Sequence, residues 1–474
     1  MSNTAQQTYE DDTDRGLPEG WTGASLMDLC DLIRGVSYQK GEVLMELSPG
    51  FLPLLRANNI NGEIVFNNLR YVPRKCVSLA QMLKVGDVVV AMSSGSKTVV
   101  GKGATLRKSW EGTFGAFCSA LRPSRELDSQ YFAYFFQTRG YRDAISEAAA
   151  GVNINNLRRE YFERIEFPIA PLAEQKRIVA KVEELLARVN TTKERLSKAS
   201  IILKRFRQSV LAAACSGRLT AAWREANSVH DDFVQTTVEE IVEYLGGFAY
   251  KSKTFLKRGV HQVIRIGNVR PISLILKASP AFISEHMAQQ TERFKLLPDD
   301  IVISMTGTKY KKDYGYAAIV GDSDGNLFLN QRVARLRCGD RTLPKYLLYW
   351  LQTDTFRDFF FAGETGNVNQ GNVGADGIRK AAIELPPLCE QHEIVRRVEA
   401  MFKLADAVEK RVGAAKVRAE KLTQAVLAKA FRGELVPTEA ELTSREGRSY
   451  ESASELLSRI KSETRIKGAV TKNS

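Results

Sequence analysis

Residues 171–196 read PLAEQKRIVAKVEELLARVNTTKERL, and residues 387–412 read PLCEQHEIVRRVEAMFKLADAVEKRV. The second stretch repeats the first at a constant separation of 216 residues. Extended over 171–220 and 387–436, the alignment needs no gap, and 17 of 50 positions are identical, where chance would leave only a few. Matches include Pro171/Pro387, Glu174/Glu390, Gln175/Gln391, Glu183/Glu399, Gln208/Gln424, Leu211/Leu427 and Gly217/Gly433. A repeat on this scale marks a duplicated structural unit. Within each copy the apolar residues step by four and three, the rhythm of a coiled-coil seam. The first copy offers Ile178, Val182, Leu185, Val189, Leu203 and Phe206; the second offers Ile394, Val398, Met401, Val408 and Leu422. Each copy opens after proline and closes at Gly-x-Leu, so a helix of about 40 residues, roughly 60 Å long, is expected from each. So narrow a stripe is buried most simply against another of its kind, in an antiparallel pair with a globular segment at either end of a rod.

Working outward, the segments before the two helices also correspond in order. LLRANNI (54–60) matches VIRIGNV (263–269), GDVVVAMSSGS (86–96) matches DDIVISMTGTK (299–309), QYFAYFFQT (130–138) matches KYLLYWLQT (345–353), and GVNINNL (151–157) matches NVNQGNV (367–373). The offset drifts from 209 to 216, as small loop insertions would produce. The expected fold class is α+β: two similar globular domains separated by two long helices packed as an antiparallel coiled coil, a pseudo-two-fold internal repeat. The corresponding boundaries are a polar tail at 1–16, a first domain at 17–170, a first helix at 171–220, a linker at 221–235, a second domain at 236–386, a second helix at 387–436, and a polar tail at 437–474. That last tail carries one short amphipathic stretch near 453–460. It is expected to be flexible, to close onto the first domain, or to touch a partner.

A chain of 474 residues with a formal charge of +13 can bury several cores and suits a polyanionic partner. Nucleic acid precedes membrane in that list, because no apolar run approaches the roughly 18 residues that span a bilayer. The acidic, polar N-terminus lacks the features of a secretory signal, which points to the cytoplasm. Six scattered cysteines without a CxxC, and only four histidines, argue against structural zinc or a disulfide framework, so no metal site is expected.

Two kinds of loop are candidates for DNA contact. MSSGSKTVVGKG (92–103) and MTGTKYKKDYGY (305–316) combine small hydroxyls and lysines, suited to phosphate, at the ends of β-branched runs. NINN (153–156) and NVNQGN (367–372) offer amides of the kind that pair with adenine. Solvated hairpin tips and ordinary turn chemistry are the plain alternatives. The candidate DNA-binding residues are Arg56, Asn58, Ser94, Lys97 and Asn155 in the first domain, and Arg265, Asn268, Thr306, Lys309, Lys311 and Gln370 in the second. GKG at 101–103 is not a P-loop, because Gly95 lies one residue too far away and Gly103 occupies the Ser/Thr place. No HExxH, GxSxG, Cys/His pair, glycine-rich dinucleotide fingerprint or Asn/Asp-Pro-Pro-aromatic stretch is present, so no catalytic residues are expected.

PIAPLAEQKRIV (168–179) and ELPPLCEQHEIV (384–395), helices ending in VLAAACSGRLT and VLAKAFRGELV, and their alternation with two divergent domains resemble the specificity subunit of type I restriction–modification systems. The resemblance covers the whole chain apart from the tails. LIRGVSYQKGE, LLRANNING and VVVAMSSGSK are particularly similar to the enterobacterial K-type (type IA) members. The resemblance implies a non-catalytic subunit whose two domains each read one half of a split, asymmetric target on double-stranded DNA, with the helices setting the unread spacer. It implies two modification (methyltransferase) subunits as partners, for adenine-N6 methylation, and two restriction (endonuclease/translocase) subunits for ATP-dependent cleavage. S-adenosylmethionine, ATP and Mg2+ would all bind those partners, and no cofactor is expected on this chain. A duplicated chain could seat two identical partners on near-equivalent surfaces. From the residues alone, a stand-alone sequence-specific DNA-binding regulator and a structural coiled-coil protein stay open.

Overall fold

A computed structural model describes residues 16–93, 100–149, 157–229, 233–322, 324–367 and 369–470. The chain forms two compact units, and each includes parts of both long helices. The first comprises the described residues up to Arg195 and those from Ala415 onward; the second is Leu196–Ala414. The helices are α1 (Leu172–Cys215) and α2 (Leu388–Phe431), 44 residues each, about 66 Å at 1.5 Å per residue.

The first unit is built on a four-stranded antiparallel sheet in the order Cys30–Arg34, Cys118–Pro123, Val88–Ala91, Gly103–Thr105. The run Val-Val-Val-Ala occupies an inner strand and is buried on both faces, which is where β-branched side chains pack best. Beside it lies a three-stranded sheet in the order Arg70–Pro73, Phe51–Leu55, Thr113–Phe114. Thr22–Ser25 pairs with Glu166–Ile169, immediately before α1. Tyr131, Phe132, Phe135 and Phe167 fill the main core, which also takes Ile178 and Val182 from α1 and Leu427, Ala430 and Phe431 from α2.

The second unit repeats these three sheets in the same order. Its four-stranded sheet runs Val242–Gly246, Val333–Cys338, Ile301–Ser304, Ala317–Ile319; its three-stranded sheet runs Phe282–Ile283, His261–Ile264, Asn326–Leu329; and Val234–Thr237 pairs with Ala382–Leu385 before α2. The core of Tyr346, Leu347, Trp350, Phe356 and Phe360 takes Val210, Leu211 and Ala214 from α1 and Ile394, Val398 and Phe402 from α2. Buried ion pairs repeat as well. Arg122 grips Asp87 through two bonds of 2.8 and 2.7 Å, and Arg337 grips Asp300 through two of 2.7 and 2.8 Å, a bidentate geometry that fixes orientation.

The Pro-Leu-x-Glu-Gln motifs anchor each helix to its own unit. The Gln175 amide donates to the Ala170 carbonyl (2.8 Å) and its oxygen accepts from the Asp128 N–H (3.0 Å). Gln391 does the same with Pro386 (2.8 Å) and Leu343 (2.8 Å). The two helices run antiparallel to each other within each unit. Lys193 meets Glu420 (2.7 Å) and Thr423 (3.1 Å) in the first, and Arg207 meets Asp406 (2.6 Å) and Glu409 (2.9 Å) in the second.

Ile178, Val182, Val189, Ile394 and Val398 are buried, and Leu185, Leu203 and Met401 are half-buried. Three residues named for the seam need correction. Leu422 is 52% exposed, and Phe206 and Val408 lie at the exposed border. At 3.6 residues per turn a straight helix drifts away from a strict heptad. The inward positions accordingly pass to Thr423 on α2 and to Arg207, whose guanidinium lies 5.2 Å from the Phe402 ring centroid.

The C-terminal segment, expected among other readings to be flexible, is folded. Glu439–Glu446 is helical behind a Thr438 cap, and α3 (Ala453–Val470) buries Ala453, Leu456 and Ile460 in the first unit's core. The spacing of Leu456 and Ile460 places both on one face of the helix. Ser124 donates to Glu463 (3.0 Å), and Lys461 pairs with Asp28 (3.1 Å). Part of the supposed linker, Ala221–Ala226, is also helical.

Candidate nucleic-acid interface

In each unit one backbone bond joins the two loops that the sequence singles out. The Leu157 N–H donates to the Met92 carbonyl (2.8 Å), and the Val373 N–H donates to the Met305 carbonyl (3.0 Å). In the first unit the candidates Ser94, Lys97 and Asn155 lie outside the described residues. In the second unit both loops are largely described. Thr306–Gly307 pairs with Gly371–Val373, which pairs in turn with Glu364–Thr365. The turn Lys309–Lys311 follows closely on the first of these strands, and Gln370 directly precedes the second. Gln370 and Lys311 are exposed and Lys309 is half-buried.

Thr306 is corrected from a DNA contact to a structural residue: it is buried, and its hydroxyl donates to Asn372 Oδ1 (2.9 Å). Asn268 is corrected likewise. It is 1% exposed; its oxygen accepts from the Arg265 N–H (2.9 Å), and its amide N–H groups donate to the Ile275 and Ala278 carbonyls (3.0 Å each). An asparagine so engaged has no donor left for a base. Its counterpart is Asn59, also 1% exposed, which accepts from Arg56 N–H (3.0 Å) and donates to Val65 (2.8 Å) and Asn67 (2.9 Å). Asn58 is the exposed member of its pair. Arg56 and Arg265 are half-buried and brace the same loops, donating to the carbonyls of Asn68 and Ser279. One clamp therefore holds two loops of different sequence, residues 60–68 and 269–279.

The tip of the second unit's basic loop is a 3₁₀ turn, Lys309–Lys311, ended by Lys312 in the left-handed region (φ 47°). Tyr310 stands between the two lysines and is 78% exposed, a residue absent from the candidates drawn from the sequence. Behind the tip, Asp313 accepts from the Thr308 N–H (2.7 Å) and hydroxyl (3.1 Å). The Tyr314 hydroxyl donates to Glu364, and burial together with that carboxylate pushes its pKa well up. Arg357 donates to the carbonyls of Tyr314 and Gly315 (3.3 Å each) and Lys312 (3.1 Å), and lies over the rings of Tyr316 and Phe361. Its aligned partner, Arg142, donates to the Val100 carbonyl (3.1 Å), while Tyr141 donates to Gly101 (3.0 Å). The shared pattern QT-x-x-x-RD at 137–143 and 352–358 is the sequence signal that could have found these arginines.

Among the described residues there is no cluster of His, Cys, Asp or Glu able to hold a metal, and no helix is long and apolar enough to cross a membrane. Burial pushes the thiols of Cys118, Cys215 and Cys338 up to about 12, far from nucleophilic reactivity at neutral pH.

The model of the type I restriction modification DNA specificity domain matches residues 18–199 and 230–414. The chain is 38% identical over 463 residues to the type I restriction enzyme EcoKI specificity subunit of Escherichia coli K12, and 37% identical over 460 residues to the StySPI specificity subunit of Salmonella potsdam. Each alignment covers 95% of this chain and 97% of the relative. A solved chain from a study of complex assembly and conformational transition of the type I R-M system superposes with a TM-score of 0.64 at 18% identity, covering 89% of this chain and all of that one. With both repeats matched and near-full-length relatives of the K type, the chain belongs to the specificity subunits of type I restriction–modification systems.

Proposed function

We propose that each unit reads one half of a bipartite, asymmetric DNA target, and that α1 and α2 set the spacer and seat two modification subunits. The observation that carries this reading is one scaffold used twice, with the same backbone junction presenting loops of different sequence. MSSGSK and MTGTKY leave equivalent strands, so equivalent positions would face different bases. Lysines and small hydroxyls on those loops supply phosphate contacts, and the excess positive charge of the chain favours approach to DNA.

In this reading the chain performs no chemistry. S-adenosylmethionine would bind the modification subunits, and ATP and Mg2+ the restriction subunits, with the whole assembly in the cytoplasm. The test is a genome-wide map of N6-methyladenine by single-molecule sequencing, in cells with and without this gene and with its modification partner expressed. Loss of methylation at one split, asymmetric motif is the expected result. An unchanged map would refute the role and favour a regulator that binds DNA without partners.

A further inference from the structure

The basic loop of the second unit is fixed more firmly than an exposed turn requires. Three backbone carbonyls, those of Lys312, Tyr314 and Gly315, converge on the Arg357 guanidinium. That side chain is sandwiched against Tyr316 (5.2 Å) and Phe361 (5.1 Å). The backbone under it takes two left-handed turns, at Lys312 and Gly315, conformations that persist where surrounding contacts over-determine them. Gly315 also sits so close to Phe360 that a Cβ there would lie 2.7 Å from the ring. All this order serves a tip that touches little: Tyr310, between Lys309 and Lys311, projects into solvent. A rigid aromatic flanked by two cations suits a nucleic-acid groove, with ammonium groups on phosphates and the ring against base edges or a thymine methyl.

We propose that Arg357 is a positioning residue for recognition of the second half-site: it holds the loop from behind in the shape that presents Tyr310 to a base. The inference rests on the reading of these units as half-site readers. Because guanidinium presents a planar fork of donors, it can gather several carbonyls at once, which neither lysine nor glutamine can reproduce.

The experiment uses the complete chain assembled with its modification subunits, methylating a plasmid library of randomised sites read by single-molecule sequencing. Tyr310→Ala, at a position too exposed to unfold the chain, should relax one base position in one half-site at least tenfold and leave the other half intact. Arg357→Gln should relax the same half-site over one or more positions, with a melting temperature close to that of the parent. Unchanged motifs for Tyr310→Ala, or equal relaxation of both halves by Arg357→Gln, would overturn the proposal. A Lys309→Glu/Lys311→Glu control separates the two ideas: if it leaves DNA affinity unchanged, the loop is away from DNA and the underlying reading of this surface is at fault.

Discussion

Two carboxylates at equivalent places show how substitutions around them alter a repeated site. Glu174 is buried and accepts from the Trp21 indole (3.0 Å) and the Glu439 N–H (2.8 Å). Glu390 accepts from Thr220 and approaches Arg224, but its second oxygen is buried without a hydrogen-bond partner. Phe233 stands before the second unit's first strand as Trp21 does before the first unit's, and phenylalanine has no N–H to give. Trp21→Phe should therefore cost about 1–3 kcal/mol, the scale of a buried acceptor left unmet, and denaturant unfolding would show it. Glu393 supplies a pH test. Its bond with Arg396, reinforced by Arg397, holds its pKa down to about 2. A depressed carboxylate stabilises the fold above its unfolded value, and the contribution fades as pH falls from about 4.5 towards 2. Acid unfolding of Glu393→Gln should lose that part of the pH dependence; an identical profile would contradict it. The buried asparagines were the hardest residues to read from sequence. In ANN (57–59) either asparagine could face solvent, and only the fold shows that Asn59 is consumed by the loop behind it.

The helices were the most legible elements, because gapless duplication and regular apolar spacing both survive in the primary structure. The polar seam contacts were not, since Lys193–Glu420 and Arg207–Asp406 depend on register between distant segments. Equally hidden was the pairing of Thr306–Gly307 with Gly371–Val373, too short for a strand pattern and separated by more than sixty residues. Between residues 190 and 203, α1 has no fully buried side chain. This stretch can therefore lose residues without emptying a core. Removing four residues from 193–203 together with the matching four from α2 shortens the pair by about 6 Å at 1.5 Å per residue. That is roughly two base pairs of duplex at 3.4 Å each. The deletion mutant should methylate a motif with a shorter spacer and unchanged half-sites; altered half-site bases would count against the helices as a ruler.

For the molecule as a whole, the +13 charge predicts binding that weakens steeply with salt. Lys309→Ala/Lys311→Ala should reduce the slope of log K against log salt by about 1.8, from roughly 0.9 per phosphate contact, on cognate and random DNA alike. An unchanged slope would place both lysines away from phosphate. The two-domain architecture was readable because paired motifs recur in the same order, while the bases read by each unit depend on loop shapes that composition does not encode. The duplication is also no longer symmetric in charge. Arg177 pairs with Glu439 and donates to the Pro437 carbonyl (3.3 Å), whereas its counterpart at offset 216 is an acid, Glu393. In the segment after α1, the place of Glu439 behind its threonine cap is taken by Ala221. A half-length chain ending near residue 235 and pairing with its own copy would face Arg177 with a methyl group in place of a carboxylate. The two halves are thus no longer interchangeable at this contact: sedimentation of such a fragment should show weaker self-association than the same fragment carrying Ala221→Glu, and equal association would show that the ion pair contributes nothing to joining two halves.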